Sequence, residues 1–233
     1  MSAAPEPRVP SWLDRLRASL DSSVDDPEWA SRTNTVPGAG EREAGVLILF
    51  SEQAAGRELL FIERSATMRS HPGQIAFPGG GAEPEDDDVV DTALREAEEE
   101  VGLAPDGVTV FGQLPTVTVP VSGFRVTPVL GWWSEPTEIG VRDPAEVAAV
   151  HQIPLTQLTD PATRYAMLHP RGRGGPGFQI GELMIWGMTG YLVDNVLTRG
   201  GWRRPWDENR TRQVPARFLG SYPDGSAGPG RTE

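Results

Sequence analysis

The sequence contains no cysteine, which excludes disulfides, zinc–thiolate centres and cysteine nucleophiles together. It also contains no lysine. All 21 basic side chains are arginine, an imbalance that genomic base composition explains without a functional demand. No apolar run approaches the ~18 residues that a membrane-crossing helix requires. The longest clean stretch, Gly45-Val46-Leu47-Ile48-Leu49-Phe50, has the length of a strand. The first residues lack a basic region followed by an apolar core, so no secretory signal is expected and a cytoplasmic location is. Positive charge is scarce as well. With a net charge of −12, the chain has no general basic surface for nucleic acid. Any polyanionic substrate must therefore meet local arginines or bound cations.

A chain of 233 residues, 38% of them hydrophobic, suffices for one ordinary domain with a buried core, plus arms. Residues 1–40 form an N-terminal arm rich in Pro, Ser, Ala and Asp. Within it, Trp12 to Leu20 sets Leu13, Leu16 and Leu20 at helical spacing. This short amphipathic helix is expected to pack on the domain or on a partner subunit, so a homodimer is one expectation. Residues 200–233 carry Arg, Pro and Gly without hydrophobic periodicity and read as a flexible tail. The domain itself spans residues 41–199 and has no internal repeat. Strands are expected at Val46–Phe50, Leu59–Glu63, Gln74–Phe77, Val108–Leu114, Phe124–Trp133 and Glu182–Trp186. Helices are expected at Val89–Val101, ended by Gly102, and at Met188–Leu197. The order implies an α/β fold, a mixed β-sheet sandwiched between α-helices.

The informative helix reads Thr92-Ala93-Leu94-Arg95-Glu96-Ala97-Glu98-Glu99-Glu100-Val101-Gly102-Leu103, after a loop of glycines and acids from Gly79 to Asp88. At ~100° per residue, Val90, Leu94, Ala97 and Val101 fall within about 60° of one another and form the core face. Glu96, Glu99 and Glu100 fall within about 100° on another face, whereas Glu98 points away. Like charges at these spacings repel, and acids in the last turn oppose the helix dipole. A hard divalent cation removes both penalties, because Mg²⁺ prefers carboxylate oxygen and water. A solvated acidic face is the plain alternative for a glutamate-rich helix seen alone. A non-enzymatic cation module built on Glu83 to Asp88 is disfavoured, since that run lacks the ligand spacing of an EF-hand loop.

The segment resembles the Nudix box. Arg95, Glu96, Ala97, Glu99, Glu100, Gly102 and Leu103 fill its second half in order, and Gly79 and Gly80 begin its first half. The loop between is one residue longer than usual. Counting back from Arg95 reaches Asp87 and counting forward from Gly80 reaches Asp86, so either aspartate remains a candidate to support the site. The resemblance implies the Nudix fold and hydrolysis of a diphosphate linked to a nucleoside. It implies Mg²⁺ or Mn²⁺ on Glu96, Glu99 and Glu100, with Glu99 as base for the attacking water. Arg95 would hold Glu99 through an i, i+4 ion pair. Gly79 and Gly80 would turn the backbone tightly beside the substrate.

Just upstream, Leu59-Leu60, Arg64-Ser65, Arg69, Gly73 and Phe77-Pro78-Gly79-Gly80 resemble the extra signature of the coenzyme A pyrophosphatase branch of that family. Together with later matches ending at Ile185-Trp186-Gly187-Met188-Thr189, the resemblance covers about residues 45–198. It implies coenzyme A or a derivative as substrate, with Arg64, Ser65, Arg69, Gly73, Gly79 and Gly80 in the binding site. Guanidinium forks match phosphate oxygens, although surface arginines in salt bridges are the plain alternative for Arg64 and Arg69. His71 either bonds substrate or orders its loop. Trp186 is either core or an adenine stack. Glu146 is either a further metal ligand or base, or a solvated loop acid. Rival functions are a Nudix hydrolase of ADP-ribose or a dinucleotide, and a non-catalytic Nudix-type ligand-binding regulator, against which the intact glutamates weigh.

Overall fold

A computed structural model describes residues 8–20, 42–68, 70–119, 123–170 and 172–219. After a 3-10 turn at Ser11–Leu13 comes a short helix, α1 (Asp14–Ala18). The chain then forms β1 (Arg42–Gln53), β2 (Gly56–Arg64), β3 (Ile75–Ala76) and β4 (Gly79–Gly81), followed by α2 (Val89–Val101). Next come β5 (Val108–Gln113), β6 (Val117–Val119), β7 (Phe124–Trp133), β8 (Val147–Pro154) and a single turn, α3 (Leu155–Leu158). The remainder is β9 (Arg164–His169), β10 (Gly172–Ile180), β11 (Leu183–Ile185), α4 (Gly187–Arg199) and β12 (Thr211–Gln213).

The larger sheet runs β3-β2-β1-β7-β5, with β4 on β1, β6 on β7 and β8 on β2. It is mixed, because β1 and β7 pair in parallel, from Arg42 opposite Phe124 to Ser51 opposite Trp133, while the other pairs are antiparallel. The smaller sheet is β11-β10-β9-β12. Alternation along β1 explains the layers. Leu47 and Leu49 join Ala93, Ala97 and Val101 of α2 on one face. Val46, Ile48 and Phe50 join Leu192, Val193, Val196 and Leu197 of α4 on the other. The large sheet therefore lies between helices, as the sequence pattern implies.

Gly45 sets how closely α2 can lie on β1. A Cβ there would stand 2.5 Å from the Val89 carbonyl oxygen and 3.0 Å from the Ala93 nitrogen. The helix starts where Asp88 accepts hydrogen bonds from the Val90 and Asp91 amides, at 2.7 and 3.1 Å. It ends at Gly102, whose left-handed φ of 74° lets its amide bond back to the Glu98 carbonyl.

The N-terminal helix packs on this domain. Leu13 and Leu16 are wholly buried in the α4-side core, and Trp12 meets Phe50, Trp132 and Trp202 at ring distances of 5.7 to 5.9 Å. The chain beyond residue 200 differs from the flexible tail that its composition suggests. Trp202 packs on the same core, β12 pairs in parallel with β9, and Val214 and Phe218 bury beside Trp186. Aperiodic sequence conceals this because each anchor is a single aromatic or aliphatic side chain rather than a repeating stripe. Residues 220–233 lie outside the described residues. Phe218→Ala should destabilise the fold by about 3–5 kcal/mol through lost burial and the resulting cavity. Urea denaturation measures this, and a wild-type midpoint would show that residues 200–219 are not part of the folded core.

Candidate active site

One arginine organises the acidic helix. Arg95 Nε donates to Asp86 Oδ1 at 2.9 Å and Arg95 Nη2 donates to Asp86 Oδ2 at 3.1 Å, a two-pronged pair. The same Nη2 reaches the Gly81 carbonyl at 3.1 Å and Glu96 Oε1 at 3.2 Å, while Nη1 donates to Glu99 Oε2 at 3.1 Å. The expected bond to Glu99 is present. The aspartate left open by the longer loop is resolved as Asp86, which also accepts from the Glu83 amide and the Thr92 hydroxyl, each at 2.9 Å. These donors, Arg95 first, hold the Asp86 carboxyl well below the usual carboxylate range.

Glu100 is buried rather than solvated, at 3% exposure. Its Oε2 accepts from the Gly79 amide at 3.0 Å, whereas Oε1 is buried without a hydrogen-bond partner. Burial is the main cause that pushes its carboxyl up to about 8. The Gly79 bond and Arg64 oppose this, and Glu96 and Glu146 add to it. Burial likewise raises Glu96, whose neighbour Arg95 counters part of the effect. Gly79 and Gly80 permit this proximity. A Cβ on Gly79 would sit 2.3 Å from the Gly45 carbonyl oxygen, and one on Gly80 would sit 2.4 Å from Glu96 Oε1.

A cavity of about 990 Å³ gathers Glu96, Glu99, Glu100, Glu146, Arg64, Gly79 and Gly80 in its wall. Asp143, His71, Gln74 and Trp186 also line it. Arg64 Nε, Gln74 Nε2 and Trp186 Nε1 are buried donors without acceptors. Glu146 comes from the loop before β8, and its backbone carbonyl accepts from the Ser65 amide at 2.7 Å. Two expected binding residues lie elsewhere. Ser65 is buried with its hydroxyl 2.8 Å from that of Thr67, and Gly73 takes a left-handed φ of 66° in the loop after Arg64. Neither lines the cavity. Arg69 lies outside the described residues. Half-buried His71 has a positive φ of 57° and a pKa lowered by burial and by Arg64, so the neutral ring is favoured. Trp186 is 5% exposed, tilted against Phe218 at 5.9 Å, yet reaches the cavity. Asp143, Gln74 and Gly45 carried no recognisable motif signal in the sequence.

The donor chemistry fits a hard divalent cation, since the cavity offers carboxylate oxygens and one of them is buried without a partner. Among the described residues, however, no group of three or more His, Asp or Glu side chains stands as a ready metal-binding cluster. Arg95 holds one oxygen each of Glu96 and Glu99. The site is thus a set of carboxylates on a rigid helix end, braced by one arginine and sharing its cavity with a second, half-buried one, Arg64.

A mixed sheet between helices, with braced glutamates at a glycine-lined helix, defines an α/β carboxylate site. The family model described as NUDIX domain matches residues 41–171; the chain belongs to the Nudix family of hydrolases. It is 40% identical over 143 residues to the uncharacterized Nudix hydrolase NudL of Photorhabdus laumondii, covering 59% of this chain and 74% of that one. It is 37% identical over 168 residues to the protein of the same name from an Enterobacter species, covering 69% and 83%. A solved binary complex of a C. elegans Ap4A hydrolase superposes with a TM-score of 0.42 at 20% identity, covering 48% of this chain and 80% of that one. Among the described residues, no helix is long and apolar enough to cross a membrane.

Asp86→Asn should cost about 3 kcal/mol at neutral pH, because it breaks a largely buried charged pair. Folding lowers the Asp86 pKa from its ordinary 3.8, so its contribution is present above that value and is lost as pH falls further. The gap between wild type and variant should therefore narrow from pH 7 to pH 3. Equal denaturation midpoints at pH 7 would refute the bracing role.

Proposed function

We propose that this Nudix hydrolase cleaves the diphosphate of coenzyme A or a derivative, giving 3′,5′-ADP and 4′-phosphopantetheine or its acyl form. The observation that carries this reading is Arg64. It stands in the segment that resembles the coenzyme A branch, its Nε is buried without an acceptor, and it lines the same cavity as Glu96, Glu99 and Glu100. A cavity of about 990 Å³ also exceeds what a diphosphate alone would fill.

Glu96, Glu99 and Glu100 would hold Mg²⁺ or Mn²⁺, which when bound polarises phosphate and lowers the pKa of water. Arg64, whose side chain lines the cavity, binds a phosphate oxygen and orients the diphosphate. Arg95 fixes Glu99, whose carboxylate takes a proton from the attacking water. The water oxygen forms a bond to phosphorus as the bridging P–O bond breaks, and the departing phosphate carries the electron pair. Glu146, on the loop before β8, lines the same cavity and is the alternative base. The substrate is a small nucleotide derivative, and the protein works in the cytoplasm.

Incubation with coenzyme A and Mg²⁺ or Mn²⁺, followed by product analysis, tests the reading. Glu99→Gln should lower kcat by at least about 100-fold if this group is the base, with an unchanged melting temperature. Coenzyme A should exceed dephospho-coenzyme A in kcat/KM by roughly tenfold if an arginine senses the 3′-phosphate. Arg69→Ala should then shrink that ratio, whereas Arg64→Ala, which removes a diphosphate ligand, should lower kcat/KM for both substrates alike. ADP-ribose turning over far faster than both would remove the coenzyme A reading and leave the family intact.

A further inference from the structure

A second, smaller cavity of about 240 Å³ lies apart from the catalytic one and shares none of its lining residues. Its wall includes Arg164 at the start of β9, Asp194 on α4, and Arg203, Trp206 and Glu208 on the segment after α4. Arg164 is 2% exposed. Its guanidinium lies 5.1 Å from the Phe178 ring centroid and 5.0 Å from that of Trp206. Nη2 donates to Asp194, but Nε and Nη1 are buried without acceptors, and so is the indole Nε1 of Trp206. Three enclosed N–H donors without partners thus belong to two residues that line one cavity. Buried donors are nearly always satisfied by protein, water or ligand.

The charge distribution narrows the ligand. Asp194 Oδ1 serves Arg164 and also stands 3.7 Å from Arg203 Nε. The other carboxylate, Glu208, is 3.8 Å from Arg203 Nη2 and has a side chain that is 65% exposed. Two guanidiniums and two carboxylates meet here, but buried Arg164 has Asp194 as its ion-pair partner and two N–H groups left over, so its side of the cavity favours an added negative acceptor. The volume holds a group of a few heavy atoms, below the range of ordinary cofactor sites.

We infer that this cavity is a binding site for a small oxyanion, a carboxylate or phosphate group, held by Arg164, Arg203 and the Trp206 indole N–H. Trp206 belongs to the segment after α4, so the ligand fastens that segment to β9. The α4 helix places Asp194 here and Thr189 and Leu192 in the catalytic cavity.

The full chain, free of divalent cation, is titrated with inorganic phosphate and separately with acetate, each against sodium chloride of equal ionic strength. Thermal melting and amide hydrogen exchange over residues 203–214 are followed. One anion or both should raise the melting temperature saturably beyond chloride and slow exchange in that segment. Which anion acts identifies the oxyanion as phosphate or carboxylate. The effect should persist in Arg64→Ala, which removes a phosphate ligand from the catalytic cavity. It should weaken about tenfold in apparent affinity in Trp206→Phe, which keeps the ring and deletes the N–H, and similarly in Arg203→Ala. Should Arg203→Ala fail to fold, Trp206→Phe decides. No saturable effect from either anion, loss of the effect in Arg64→Ala, or undiminished affinity in Trp206→Phe would overturn the site.

Discussion

Carboxylates at the end of a helix repel one another and the helix dipole, so their position has to be fixed by other contacts. Here the fixing interaction is the fan of hydrogen bonds from Arg95 to Asp86, Glu96, Glu99 and the Gly81 carbonyl. It ties the acidic helix to the glycine strand and the loop before the helix at once. The Asp86 bonds keep that carboxylate ionised and Arg95 charged, and so keep the fan intact. With the helix held, Glu100 can lie buried against the Gly79 amide although burial opposes its charge. The cavity, its buried carboxylate oxygen and the facing Arg64 all depend on this arrangement.

Backbone proximity completes the constraint. Gly45 admits α2 onto β1, and Gly79 and Gly80 admit the strand to Glu100 and Glu96. A side chain at any of these would push the carboxylates away from the sheet. Under the proposed function, a bound cation would relieve the unfavourable burial of these carboxylates.

Much of this was legible in the residues. The bounds of α2 follow from its apolar spacing, the acidic run before it and Gly102 after it, and β7 shows as a continuous apolar strand. The strand β10 was not legible, because Gly172, Gly174, Gly175, Pro176 and Gly177 read as loop. The structure explains that composition: a Cβ on Gly175 would strike the Tyr191 ring, and one on Gly177 would strike Met167. Strand β8 was hidden by its mixed polarity, with exposed and buried residues out of simple alternation. Within the site, the spacing that grouped Glu96, Glu99 and Glu100 held no sign that Glu100 alone is buried. That depends on an amide 21 residues away in sequence. The choice of Asp86 over Asp87 was equally inaccessible, since one extra loop residue shifts the register and only the folded loop selects a partner for Arg95.

The helix-end glutamates are proposed to form a cation site whose buried member is Glu100. Isothermal calorimetry with Mn²⁺ on wild type, Glu100→Gln and Glu98→Gln tests it without recourse to turnover, Glu98 being an exposed acid on the same helix. Wild type and Glu98→Gln should bind Mn²⁺ saturably with equal affinity, and Glu100→Gln should bind about tenfold or more weakly. Binding that falls as much for Glu98→Gln as for Glu100→Gln, or no saturable binding to wild type, would contradict it.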